Sequence, residues 1–129
     1  MKEPSVLIVE DDEVAAEILQ QFVHHHRPQA RVEWCWNGYE ALVRVQDFQP
    51  DLILLDYMMP KLDGREFIST LRTLDTCRGC HIAVISAYVD RINEKGFLDL
   101  GAQEVLSKPV NSSQIAALLD RVAAERKPT

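Results

Sequence analysis

Asp51-Leu52-Ile53-Leu54-Leu55-Asp56 (residues 51–56) is the stretch from which the fold can be read. Four consecutive apolar residues leave no side chain for water on either face, the mark of a strand covered on both sides. Such strands belong to parallel sheets sandwiched between helices. The run follows Pro50-Asp51 and stops at a carboxylate, Asp56. A second run of the same form, Val6-Leu7-Ile8-Val9, stops at three acids, Glu10, Asp11 and Asp12. Ending a buried strand in charge requires a reason, because adjacent carboxylates repel and each prefers water.

The remaining segments fall into alternating strand and helix patterns. Val14, Ala15, Ile18, Leu19, Phe22 and Val23 recur with a helical period, which stops before Pro28. Arg31–Trp36 reads as a second strand, followed by an Asn37-Gly38 turn. A helix marked by Ala41, Leu42, Val45 and Phe48 closes at Gln49-Pro50. After Asp56 comes a loop with Pro60 and Gly64, then a helix presenting Phe67, Ile68 and Leu71. Ile82–Ser86 is a fourth strand, and 90–100 a helix interrupted by Gly96. Glu104–Ser107 is a fifth strand, and Ser112 or Ser113 caps a last helix with Ile115, Leu118, Leu119 and Val122 inward. The expectation is one α/β domain over residues 1–129, core about 5–125, with a five-stranded parallel sheet and helices on both faces. Its crossovers are right-handed.

Composition narrows the function. A formal net charge of −6 argues against direct nucleic-acid contact by this domain, which would need clustered Lys and Arg. No apolar stretch approaches the roughly 20 residues of a membrane span. The first residues reach Glu3 and Pro4 at once, without a secretory signal, and three cysteines make no disulfide framework. These features lead us to expect a cytoplasmic location with reduced thiols.

Ligands of such sheets sit beyond the carboxyl ends of the strands. Glu10, Asp11 and Asp12 follow strand one, Asp56 ends strand three, Ser86 ends strand four, and Lys108 follows strand five. Clustered carboxylates ask for a cation, and Mg²⁺, a hard ion for oxygen ligands and phosphate, is the natural one. Lys108 adds a movable positive charge and Ser86 a hydroxyl donor. Asp56 could act as a nucleophile toward phosphorus, since carboxylates form aspartyl phosphates. Each feature alone is commonplace; an acid after a strand is usually a helix cap. Their joint placement at four strand ends is what points to phosphoryl chemistry.

The segments "LIVEDD", "PDLILLDYMMPKLDG", "VISAY" and "GAQEVLSKPV" resemble the receiver domain of bacterial response regulators, from residue 5 to about 125. The resemblance implies a flavodoxin-like (βα)5 fold with strand order 2-1-3-4-5. It makes Asp56 the phosphoacceptor, served by a histidine kinase or phosphotransfer protein. Asp11 becomes a direct Mg²⁺ ligand with Asp56 and the Met58 backbone carbonyl, and Glu10 an indirect one through water. Ser86 and Lys108 would contact the phosphoryl group, and the Lys108–Pro109 bond would be cis. Such a domain is a regulatory phosphoacceptor rather than an enzyme, assisting its own phosphotransfer and dephosphorylation. It acts on a downstream protein or a fused output domain, and a homodimer through the last strand and helix is compatible with it. Members commonly carry Tyr or Phe where this chain has Val105. Output is then expected to depend on shifts around residues 86–100 and the last strand and helix. Met58 and Tyr88 would tune water access to the phosphoryl group.

Other motifs have plainer readings. "CRGCH", Cys77 to His81, matches a haem-attachment pattern but follows a helix and precedes a strand, where neither haem nor redox chemistry is expected. His24-His25-His26 suits a helix C-terminus. Trp34 and Trp36 share one side of a strand, for packing or as a partner surface. An aspartyl phosphatase would want a second acid where Met58 stands, and a dinucleotide protein a glycine-rich first turn. The remaining alternative is a receiver-like interaction module acting without phosphorylation.

Overall fold

A computed structural model describes residues 3–57, 63–87 and 89–125. Strands β1 (Ser5–Val9), β2 (Arg31–Cys35), β3 (Leu52–Asp56), β4 (His81–Ser86) and β5 (Glu104–Ser107) alternate with helices. The helices are α1 (Glu13–His26), α2 (Gly38–Phe48), α3 (Gly64–Thr73), α4 (Arg91–Leu100) and α5 (Ser112–Glu125). All strand pairs are parallel, in the order β2-β1-β3-β4-β5. The flavodoxin-like arrangement expected from the sequence is therefore present.

Strand alternation divides the core in two. Leu7, Val9, Ile53, Leu55, Ile82 and Val84 point to one face, where α2, α3 and α4 bring Val45, Phe48, Phe67, Ile68, Leu71 and Phe97. Val6, Ile8, Leu52, Leu54, Ala83 and Ile85 point to the other, under Leu19 and Val23 of α1 and Ile115, Leu118 and Val122 of α5. This is why the central strands read as unbroken apolar runs: consecutive residues serve different cores. The edge strands β2 and β5 are only partly covered, which matches their mixed sequences.

Helix starts are set by side-chain caps. Asp12 accepts from the Val14 amide at 3.2 Å, Asn37 from Glu40 at 2.8 Å, and Asp90 from Asn93 at 2.8 Å. Asp12 is thus the N-cap of α1. The cap of α5 differs from expectation: it is Asn111, not Ser112 or Ser113. The Asn111 side chain accepts from the Gln114 amide, and the Gln114 side chain accepts from the Asn111 amide, both at 2.9 Å. This reciprocal box satisfies two end donors at once, which a lone serine cannot do. Strand β2 also ends one residue early, leaving Trp36 just beyond it.

The "CRGC" segment is a structural corner. Cys77 and Cys80 are buried, and the Cys80 thiol donates to the Cys77 carbonyl at 3.3 Å. Arg72 of α3 holds the corner by donating to the carbonyls of Cys77 (2.7 Å) and Cys80 (2.9 Å). It also donates to the Gly101 carbonyl at 3.1 Å, beyond α4. Gly101 closes α4 at φ 115°, a left-handed conformation that glycine adopts without strain. The three histidines form the last turn of α1, as expected; His24 meets the Ala30 carbonyl at 3.1 Å and His26 meets Asp120 of α5 at 2.8 Å.

The capping assignment makes a direct prediction. Asn111→Ala should lower unfolding free energy by about 1 kcal/mol in urea titrations, whereas Ser112→Ala should change it by less than about 0.5 kcal/mol.

Candidate functional site

The carboxyl ends of the central strands hold the polar groups. Glu10 and Asp11 follow β1, and Asp56 is the last residue of β3. Asp56 lies beside Ile85 in the ladder, so Ser86 at the end of β4 is one step further out. The Lys108 amide donates to the Ser86 carbonyl at 2.9 Å, tying the lysine to the same edge. Glu10, Asp56 and Ser86 are buried, whereas Asp11 is exposed. One ligand oxygen from each of Glu10, Asp11 and Asp56 lies within 4.8 Å of the others. Lys108 Nζ is 2.9 Å from Asp56 Oδ1. The Lys108–Pro109 bond is cis.

Electrostatics follows from this crowding. Glu10 is raised from 4.5 to about 8, first by burial, then by a hydrogen bond shared with Asp56 and by repulsion from its charge. The Asp12 amide, 3.2 Å from Glu10 Oε1, and the Lys108 charge act in the opposite direction. Two buried carboxylates, Glu10 and Asp56, thus crowd against each other beside an exposed third, Asp11. That is the donor set of a hard divalent cation: oxygen ligands, excess negative charge, and one side open to water. Glu10, Asp11 and Asp56 fit Mg²⁺ on these grounds.

Met58 and Tyr88, singled out in the sequence, lie outside the described residues. Val105 is half-buried, pairs with Val84 in the ladder and packs against the α2–α4 core. Two residues near the site carry roles the sequence reading missed. Tyr57, next to Asp56, stacks edge-on against Phe97 of α4 with ring centroids 4.8 Å apart. A Cβ on Gly64 would come within 2.6 Å of the Tyr57 ring, so glycine at the start of α3 makes room for it. Trp34 Nε1 donates to the Glu10 carbonyl at 2.6 Å. An aromatic after the strand-end acid was a visible signal for Tyr57; the Trp34 contact joins residues 24 apart and had none. A cleft of about 320 Å³, lined by Asp51, Cys80, His81 and Glu125 among others, opens at the opposite end of the strands and is remote from these groups.

The fold and this edge define a class, and comparison with known proteins agrees. A family model described as response regulator receiver domain matches residues 6–120, and the chain belongs to that family. It is a receiver domain of the two-component type, a regulatory signalling domain rather than a classical enzyme. It is 35% identical over 120 residues to a probable C4-dicarboxylate response regulator, DctR, of Halalkalibacterium halodurans, covering 92% of this chain and 51% of that protein. It is 33% identical over 111 residues to the autoinducer 2 sensor kinase/phosphatase LuxQ of Vibrio vulnificus, covering 85% of this chain and 12% of that one. The chain thus spans about half or less of these curated relatives. A signal receiver domain of a histidine kinase from Syntrophus aciditrophicus superposes with TM-score 0.83 at 27% identity, over 98% of this chain and 94% of that one. The receiver domain of a DNA-binding response regulator from Colwellia psychrerythraea shares the fold at TM-score 0.89 and 24% identity, over 95% and 100%. Receiver domains generally bind Mg²⁺ through acidic residues, and this chain carries such a cluster. Among the described residues, no helix is long and apolar enough to cross a membrane.

The raised Glu10 carboxyl makes stability depend on pH. A carboxyl whose folded value lies above its unfolded one stabilises the fold fully below the unfolded value, and loses that contribution as pH rises through the folded value. In EDTA, the thermal midpoint should therefore fall as pH rises from about 4.5 to about 8. Differential scanning calorimetry of Glu10→Gln should show this fall reduced; an unchanged slope would remove Glu10 as its source.

Proposed function

We propose that this chain is a phosphoacceptor receiver in which Asp56 takes a phosphoryl group from the phosphohistidine of a histidine kinase or phosphotransfer protein. The observation that carries the reading is the buried Asp56 carboxylate, 2.9 Å from Lys108 and within 4.8 Å of Glu10 and Asp11. Asp11 and Asp56, with the Met58 carbonyl, would hold Mg²⁺ directly, and Glu10 through water. Bound there, the ion would neutralise charge on the transferring phosphoryl oxygens.

The chain's own residues then have distinct tasks. An Asp56 oxygen attacks phosphorus, the P–N bond of phosphohistidine breaks, and its electron pair returns to the imidazole, which takes up a proton. The product is an acyl phosphate on Asp56. Lys108, now paired with the carboxylate, follows the new negative charge to a phosphoryl oxygen, and the Ser86 hydroxyl donates to another. These movements bias a two-state equilibrium of the surface around α4, β5 and α5 toward a signalling form. Val105 leaves no aromatic ring to report the Ser86 movement, so output relies on shifts of residues 86–100 and of β5 and α5. Water attacking the phosphorus of the acyl phosphate breaks the P–O bond to Asp56, releases inorganic phosphate and returns the carboxylate to its starting state.

In this reading residues 1–129 form one cytoplasmic receiver domain, core about 5–125, acting on a downstream protein or a fused output domain. The curated relatives support a fused context, since this chain spans half of one and an eighth or less of another.

Incubation with acetyl phosphate and Mg²⁺, followed by intact mass measurement, tests the assignment. Wild type should gain one phosphoryl group and Asp56→Asn none; equal labelling of the variant would show that Asp56 is not the acceptor. Absence of Mg²⁺-dependent labelling in wild type would favour the module that acts by contact alone. The acidic residues should also separate by calorimetric titration. Asp11→Ala should weaken Mg²⁺ binding by at least about tenfold, while Asp12→Ala, which removes a helix cap, should weaken it far less.

A further inference from the structure

Glu10 is the first residue after β1, where the strand ladder ends and backbone groups lose their regular partners. Both of its main-chain polar groups are nevertheless held, and both by β2. Its amide donates to the Cys35 carbonyl at 3.0 Å, and its carbonyl accepts from the Trp34 indole at 2.6 Å. The second contact is not part of any ladder; it is a side chain reaching from the edge strand across to the end of β1. Trp34 is partly buried, packed against the α1–α5 core, with the Trp36 ring edge-on at 6.0 Å. That packing fixes the direction of the indole N–H.

The consequence falls on the acidic cluster. Asp11 is exposed and lies between Glu10 and Asp12. Asp12 is anchored by its amide on Glu10 Oε1 and by its cap on α1. Glu10 is anchored by β2. The geometry points to Trp34 as a positioning residue of the cation site: by holding the Glu10 carbonyl, its N–H keeps Glu10 and Asp11 where Mg²⁺ needs them. This rests on reading the Glu10–Asp11–Asp56 cluster as a Mg²⁺ site. Mg²⁺ demands near-ideal octahedral geometry, so a loosened ligand segment lowers affinity even with every ligand present. A hydrogen bond to a carbonyl beside the ligands is a means of fixing that segment. It also gives the tryptophan pair a task at the site, where the sequence offered packing or a partner surface.

The test removes the N–H while keeping the ring. Mg²⁺ affinity is measured by calorimetric titration of the full chain carrying Trp34, Trp34→Phe, or 3-benzothienylalanine at 34, which places sulfur where the indole has N–H. Thermal midpoints are measured in EDTA alongside. The benzothienyl protein should bind Mg²⁺ about tenfold more weakly with an unchanged midpoint in EDTA, and Trp34→Phe should bind at least as weakly. Labelling by acetyl phosphate should then need about tenfold more Mg²⁺ for half its maximal rate, with that rate retained at saturation. Wild-type Mg²⁺ affinity in the folded benzothienyl protein would overturn the proposal, whatever its midpoint, and leave Trp34 a packing residue. Failure of folded wild type to bind Mg²⁺ would instead overturn the cation site itself, and the Trp34 role with it.

Discussion

Three carboxylates, with an oxygen of each inside a 4.8 Å span, form the constraint around which the rest of this domain is arranged. Glu10 and Asp56 are buried, so neither is relieved by water, and burial together with Asp56 pushes the Glu10 carboxyl up to about 8. Lys108, just beyond β5 and 2.9 Å from Asp56, compensates part of the charge. Such an arrangement survives only on a rigid support. The support is the apolar centre of the sheet, with β1, β3 and β4 wholly buried and helices on both faces. Loosely packed strands would let the acids separate into water.

The rigid support is uneven. At the amino end of β4, Arg72 ties α3, the Cys77–Cys80 corner and the end of α4 into one hydrogen-bonded unit. At the carboxyl end, contacts are made by aromatic side chains. Tyr57 sits between Asp56 in the chain and the Phe97 ring of α4, with Gly64 leaving it space. Asp56 is therefore next to a residue touching two helices, α3 and α4, while Val105 on β5 presents a small, half-buried side chain.

Much of the fold was legible because a two-sided core imposes an unmistakable pattern. Leu52–Leu55 and Val6–Val9 could not be edge strands, and the acids after them had to lie at one edge once the strands were parallel. Asp56, Ser86, Lys108 and the three acids after β1 were accordingly legible in the sequence, and the resemblance to receiver domains picked Glu10 and Asp11 out of the three. Boundaries governed by reciprocal hydrogen bonding were less legible. Asn111 displaced the serines as the cap of α5 because Gln114 answers it, a pairing between two polar side chains that leaves little trace in hydropathy. The CRGCH motif looked chemical, yet its thiols are buried structural groups under Arg72.

By itself, the sequence determined the order of strands and helices, the two-sided burial of the sheet and the identity of the acids, lysine and serine at its edge. These follow from periodicity and from local chemistry, which act over a few residues. Only the tertiary structure decided how closely the acids crowd, that burial and Asp56 push the Glu10 carboxyl upward, and that Trp34 reaches the Glu10 carbonyl. Those properties depend on distances between residues far apart in the chain, and on the exclusion of water that exists only when both helical layers are in place.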